Sequence, residues 1–303
     1  MGNAMKERIG FIGLGLMGEG MAANLLRKGW PLTVLAHRKR EPIDRLVALG
    51  AVEARNARAL AEVSDIVVLC VTGSPQVEEV TMGADGLAAA GRSLLILDCS
   101  TSNPASTVQL AAELARRDIV LIDTPLARTP KEAAAGTLDV MAGGDAAAFA
   151  RARPVLEAFA GRVIHTGPTG SGHTMKLLNN FISLGYSAIY AEALMMGAKA
   201  GLTPEIMDSV WRGGRMDCGQ YQAFFEFVLR RDENAQRFSM NNALKDLSYL
   251  ASFAASSGAA NPVSAAVRNS FAAAVGTGKG EKFVPALSDA IAELNGVSLH
   301  RRE

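Results

Sequence analysis

The apolar positions of the first half of the chain switch between two periods. "RIGFIG" is a short apolar run ending in glycines, and "EGMAANLLRKG" follows it at helical spacing up to Gly29. "LTVLA" predicts the next strand, and "IDRLVALG" and "LAEV" predict helices. The alternation continues through strand "DIVVLCV", helix "QVEEVTM", strand "SLLILDCS" and helix "PASTVQLAAELARRD" to strand "IVLIDTP". Asn103-Pro104 opens the last of these helices with a capping residue and a first-turn proline. Continuous apolar strands separated by helices predict a doubly wound parallel sheet covered on both faces. "LDVMAGG" and "RVIHTG" extend that sheet around the helix "DAAAFARARPVLEAF".

Past Gly167 no strand-like run remains. Residues 171–200 read as one long helix in which Met175, Leu178, Ile182, Ile189, Ala193 and Met196 recur, with Phe181, Leu184 and Tyr186 on other faces. A helix apolar on most sides is expected to be buried on most sides, between two halves of the chain or between subunits. "PEIMDSVW", "ALKDLSYLASFAASS" and "PVSAAVRNSFAAAVG" predict further helices. The turn-rich "HTGPTGSG" marks the boundary. An α/β domain is therefore expected over residues 6–167 and an all-α domain over 168–303, joined by the long helix.

Composition changes this picture little. The 303 residues suit two ordinary domains with a sizeable core, since 49% of them are apolar. Thirty-one basic side chains against 30 acidic ones leave a formal charge of +1, so no global field points to nucleic acid or an acidic membrane. Cys70, Cys99 and Cys218 lack zinc-like spacing and read as reduced thiols of a cytoplasmic protein. His165, His173 and His300 form no ligand pattern, so no metal is expected. The opening "MGNAM" (residues 1–5) reads as an expression scar with Met5 as native start, not as a signal peptide. No uncharged apolar run reaches the roughly 18 to 20 residues of a membrane span.

"GFIGLGLMGEG" changes the picture more. Gly13-x-Gly15-x-x-Gly18 follows a strand and opens a helix. Gly13 suits the tight turn, Gly15 lets a pyrophosphate approach, and Gly18 lets helix and strand pack. The backbone of Leu14, Leu16 and Met17 lines the same loop, and the helix N-terminus favours an anion. This predicts dinucleotide binding, with Thr72 after "DIVVLCV" in the same set. At the end of the second strand an NAD enzyme carries an acid for the ribose 2′-hydroxyl. Here that position is Ala36, followed by His37, Arg38 and Lys39, which suit a 2′-phosphate. NADP is the expected cofactor and NAD the alternative.

Two stretches carry candidate chemistry. "GSGHTMKLLNN" puts Lys176 and Asn180 four apart, on one helix face. A partly desolvated ammonium can protonate a carbonyl as hydride arrives, and its neutral form can take the proton in reverse. From spacing alone, the same lysine also suits an ordinary surface position. His173, one turn earlier, is a secondary candidate. "DTPLARTP" ends a buried strand and then presents Arg128, as either an anion clamp or a solvated loop residue.

Together these motifs resemble the β-hydroxyacid dehydrogenase family, which includes 3-hydroxyisobutyrate dehydrogenase and tartronate semialdehyde reductase. The resemblance rests on "GFIGLGLMGEGMAANLLRKG", "DCSTSNP", "GTLDVMAGG", "GSGHTMKLLNN" and "ALKDLSYLA", in family order along nearly the whole chain. It implies a Rossmann-type domain followed by an all-α domain, and a homodimer or homotetramer associating through the helical part. It implies that Lys176 is the acid/base, that Asn180 holds substrate, that Thr101 and Lys245 touch the cofactor and that Phe238 lines the site. The substrate would be a small anionic hydroxy acid or aldehyde acid. The family pattern Asp-Ala-Pro-Val-Ser-Gly-Gly holds the substrate carboxylate, but this chain has Ala127-Arg128-Thr129 in place of Ser-Gly-Gly. A similar Arg-Thr pair occurs in a sulfolactaldehyde reductase-like branch, which points to a larger or more demanding anionic group. Alternatives on the same fold are a non-catalytic dinucleotide sensor, an imine reductase and a decarboxylating dehydrogenase.

Overall fold

The computed structural model describes residues 6–37 and 39–299, so the readings for residues 1–5, Arg38 and His300 lie outside the described residues. Two compact units divide after Lys176. The first runs through β1 (Ile9–Ile12), α1 (Gly18–Arg27), β2 (Leu32–Leu35), α2 (Glu41–Ala48), β3 (Val52–Ala54), α3 (Ala57–Glu62), β4 (Ile66–Leu69) and α4 (Ser74–Met82). It continues through β5 (Leu94–Asp98), α5 (Pro104–Ala115), β6 (Ile119–Asp123), β7 (Leu126–Ala127), α6 (Pro130–Ala135), β8 (Leu138–Gly143), α7 (Ala146–Leu156) and β9 (Ala160–Gly167). The long α8 (Ser171–Lys199) leads into α9 (Pro204–Trp211), α10 (Gly219–Arg230), α11 (Met240–Ser257), α12 (Pro262–Ala274) and α13 (Leu287–Leu294).

The strands form one sheet in the order β3-β2-β1-β4-β5-β6-β8-β7, with β9 on β8. From β3 to β6 every pairing is parallel; Ile9, for example, faces Leu32 on one side and Ile66 on the other. The run of strands therefore presents all its carboxyl ends along one edge. The order reverses between β1 and β4, where open α/β sheets form their ligand crevice. β1, β4 and β5 are buried along their whole length, as continuous apolar runs require. β8 departs from the all-parallel expectation by pairing antiparallel with β6 and β7. A tight return through α6 reverses the chain there.

The second unit is built of helices, with a single antiparallel bridge between Ser239 and Phe283 among its described residues. Tyr190, Tyr221, Phe224, Phe225 and Phe271 fill its core, and Tyr190 meets Tyr221 edge-on at 5.4 Å. α8 is less covered than its composition predicts. Leu184, Ala191 and Leu194 are buried in this core, while Ile182 and Ile189 are 56% and 59% exposed. By length and composition α8 could also cross a membrane; its Leu184–Leu194 stripe packs instead into the core of this unit. β3, β7, α6, α10 and α13 have no counterpart in the expected elements. β3 is a three-residue edge strand and α6 has only six residues, too short for a hydrophobic period to register.

Candidate active site

The glycine loop between β1 and α1 meets the demands of a dinucleotide. Gly13 sits at φ +102°, and a Cβ there would lie 2.2 Å from the carbonyl oxygen of Cys70, the residue that follows β4. A Cβ on Gly18 would meet the Gly13 carbonyl oxygen at 1.9 Å. Gly15, by contrast, has no heavy atom within 4 Å of the Cβ position, and Leu16 beside it is 54% exposed. Two glycines thus close the turn while the third keeps an open approach to the backbone. Leu14 and Met17 pack partly against the core. No side chain caps the N-terminus of α1, whose positive end stays available to an anion. The chain accordingly fits a bound dinucleotide in this loop.

The remaining cofactor candidates of the first unit lie on the loops that follow its strands. Ala36 follows β2 and is half-buried, and His37 and Lys39 are exposed. Arg40, next in line, is committed elsewhere: it forms a bidentate pair with Glu53 of β3 at 2.6 and 2.7 Å and also reaches Asp44. The hydrogen bonds from Arg40 hold the Glu53 carboxyl below the usual range. Thr72 is exposed on the loop after β4, and Thr101 is half-buried on the loop after β5. These two loops are tied together. Val71 N donates to Ser100 Oγ at 3.0 Å and Asn103 N to Ser74 Oγ at 2.8 Å. Asp98, at the end of β5, accepts from Ser100 N and Ser102 Oγ on either side of Thr101. The loop is preset by a buried carboxylate.

After β6 the chain reaches Ala127, Arg128 and Thr129. Arg128 has φ +83°, a left-handed conformation that favours glycine. Its Nε lies 3.1 Å from Asp139 Oδ2 on β8, with the guanidinium half-exposed. Arg162 approaches the same oxygen at 3.6 Å. One edge of the guanidinium is therefore fixed by Asp139. Thr129 serves α6: its hydroxyl donates to Glu132 Oε2 at 2.5 Å and accepts from Lys131 N, and its own N–H donates to Glu132. That capping box also holds the Glu132 carboxyl below the usual range.

Lys176 lies in the second turn of α8, half-buried, and its helix is anchored from below. Asp123, fully buried as the last residue of β6, accepts from Gly170 N and His173 N at 2.7 Å each. A carboxylate at a helix N-terminus completes orphan N–H groups and complements the dipole. His173 is also fully buried. Its Nδ1 meets Thr107 Oγ1 at 2.8 Å and its Nε2 meets the Ser100 carbonyl at 3.1 Å. It links α8, α5 and the Thr101 loop, and does not face solvent.

In the second unit Asn180 is 6% exposed and donates from Nδ2 to Asp246 Oδ2 at 2.7 Å. Lys245 Nζ stands 2.7 Å from Asp246 Oδ1 and 4.9 Å from the centre of the Tyr249 ring. Asp246 is 3% exposed and so brings together Asn180 and Lys245, the two residues of this unit to which the family resemblance gives substrate and cofactor roles. It was missed, yet a signal was present: Ala243, Leu247, Leu250 and Ala254 form the buried stripe of α11, and Asp246 interrupts that face. Phe238 is half-buried against the core of this unit.

Comparison with known proteins adds to the geometry. Residues 8–167 match the NAD binding domain of 6-phosphogluconate dehydrogenase, and residues 170–288 match the NAD-binding region of NADP-dependent 3-hydroxyisobutyrate dehydrogenase. The chain is 33% identical to 2-(hydroxymethyl)glutarate dehydrogenase of Eubacterium barkeri over 294 residues, covering 96% of this chain and 97% of that one. It is 30% identical to 3-sulfolactaldehyde reductase of Escherichia coli over 275 residues, covering 90% and 92%. The crystal structure of 3-hydroxyisobutyrate dehydrogenase from Salmonella typhimurium matches with a TM-score of 0.83 at 29% identity, covering 93% of this chain and 99% of that one.

Proposed function

Because the chain belongs to the β-hydroxyacid dehydrogenase family and is an NAD(P)-dependent hydroxyacid dehydrogenase, we propose that it interconverts a small, strongly anionic hydroxy acid and its aldehyde with NADP as preferred cofactor. The nicotinamide, when bound, supplies or accepts the hydride. The ammonium of Lys176 gives its proton to the carbonyl oxygen in the reducing direction, and the amine takes the hydroxyl proton in the oxidising one. Asn180, held by Asp246, orients the same oxygen. The free edge of the Arg128 guanidinium binds the anionic head by charge-assisted hydrogen bonds. Ala127 leaves room for that head, Thr129 fixes the loop behind it, and Phe238 lines the pocket. Gly13 to Gly18, Thr72, Thr101 and Lys245 hold the cofactor, and His37, Arg38 and Lys39 receive its 2′-phosphate.

The observation that carries this reading is the end of β6. Asp123 seats the first turn of the helix bearing Lys176, and five residues further on the same chain presents Arg128. The proton donor and the anion clamp are thus both hung from one strand end. The exposed apolar flank of α8, with Ile182 and Ile189, supports association of subunits through the helical part.

Initial rates settle the substrate class. 3-Hydroxyisobutyrate, 2-(hydroxymethyl)glutarate and 3-sulfolactaldehyde offer one carboxylate, two carboxylates and a sulfonate. The second and third are expected to turn over best, with NADP(H) ahead of NAD(H). Lys176→Ala should lower kcat by a factor of about 10² to 10⁴ while NADPH affinity is kept. Turnover by none of the three, with Lys176→Ala indistinguishable from wild type in every respect, would sink the reading.

A further inference from the structure

α6 begins directly after Arg128 and Thr129 and ends against α1. Gly136 closes it in a left-handed conformation (φ +72°). The last carbonyls of a helix have no partners within it, and here a side chain from another helix supplies them. Asn24 Nδ2 shares its two hydrogens among three acceptors: Ala133 O at 2.9 Å, Ala134 O at 3.1 Å and Gly20 O of its own helix at 2.9 Å. Asn24 is 8% exposed, and Arg27 reaches Ala134 O at 3.4 Å. The two backbones touch at this joint: a Cβ on Gly20 would lie 2.8 Å from Ala133 C and Ala134 N. α1 is the helix whose opening loop carries Gly15. One end of α6 is therefore bolted to the nucleotide-binding helix, and the other end carries Arg128.

An apolar side chain of similar size could cover the same surface. An amide does more, because Asn24 Nδ2 meets the buried Ala133 carbonyl in only one register of α6 on α1, and any other register leaves a buried amide short of a partner. We infer that Asn24 is a positioning residue for the reaction. It fixes α6 on the nucleotide-binding helix and so sets where the Arg128 guanidinium stands relative to the cofactor; this rests on Arg128 being the substrate clamp. A merely structural asparagine would lower stability and weaken every binding step together.

The test compares wild type with Asn24→Ala in the full chain. Hydrogen–deuterium exchange reads the joint without substrate. The amides of Gly136 and Thr137, which donate to Ala133 O and Glu132 O, should exchange about tenfold faster, while those of β1 and β4 keep their rates. NADPH affinity by calorimetry should stay within about twofold, and KM for 3-sulfolactaldehyde or 2-(hydroxymethyl)glutarate should rise about tenfold with kcat nearly constant. In the Arg128→Gly background Asn24→Ala should add less than about twofold to KM, since both act on one contact. Unchanged exchange, a parallel loss of NADPH affinity, or multiplying KM effects each overturn the inference. If Asn24→Ala does not fold, Gly136→Ala loads the same joint, because its Cβ would press on Asn24 Oδ1 at 3.2 Å, and the same outcomes decide. If Arg128→Gly alone leaves KM unchanged, the clamp reading fails, and exchange still decides whether Asn24 holds the joint.

Discussion

Replacing Arg128 by glycine and by alanine separates what its backbone costs from what its side chain does. At φ +83° a residue with a Cβ carries about 1 to 2 kcal/mol of strain. Glycine removes it but gives back about 0.4 to 1 kcal/mol through the freer unfolded chain. Either substitution also loses the pair with Asp139, which is worth about 0.2 to 1 kcal/mol because the guanidinium is half-exposed. Arg128→Gly should therefore fold within about 1 kcal/mol of wild type, and Arg128→Ala should fall below it by about 1 kcal/mol. The substrate effect runs the other way. Hydrogen bonds from a charged donor contribute about 1.5 to 3 kcal/mol, so KM for the anionic substrate should rise about 10- to 150-fold in both variants. Urea unfolding measures the first difference, and initial rates at saturating NADPH measure the second. A glycine variant with wild-type KM refutes the clamp. An alanine variant more stable than the glycine variant refutes the strain argument.

Gly15→Val should keep wild-type stability and lose NADPH binding, whereas Gly18→Ala should fail to fold stably, since its Cβ would meet Gly13 O at 1.9 Å; thermal melts and NADPH titrations distinguish them, and equal melts contradict the assigned roles. Arg38→Asp should weaken NADPH much more than NADH, and equal losses would remove the 2′-phosphate assignment. Asp65 accepts from Arg8 N, Nε and Nη2, and these bonds hold its carboxyl well below the usual range. Its folded pKa is depressed, so its contribution is full above the unfolded value near about 3.9 and disappears as pH falls toward the folded one. Asp65→Asn should thus cost about 1 kcal/mol at pH 7 and progressively less below about pH 4; a gap that stays constant down to pH 3 would show that the ionic part is nil.

The parts of this protein that its sequence determines are those set by local chemistry. Gly13-x-Gly15-x-x-Gly18 needs only a turn and a helix start. The strands β1, β4 and β5 need only continuous apolar runs, and α8 needs only a long helical period. Tertiary structure alone decided the partners across long separations. Asn24 meets Ala133 across 109 positions, Asp123 meets His173 across 50, and Asn180 meets Asp246 across 66. None of these pairs has a period or a spacing, because each is created when elements remote in sequence are packed together and buried polar groups must find partners. The left-handed backbone of Arg128 belongs with them. Nothing in "DTPLARTP" requires it, and it arises only because β7 must pair with β8, turn, and deliver α6 onto α1.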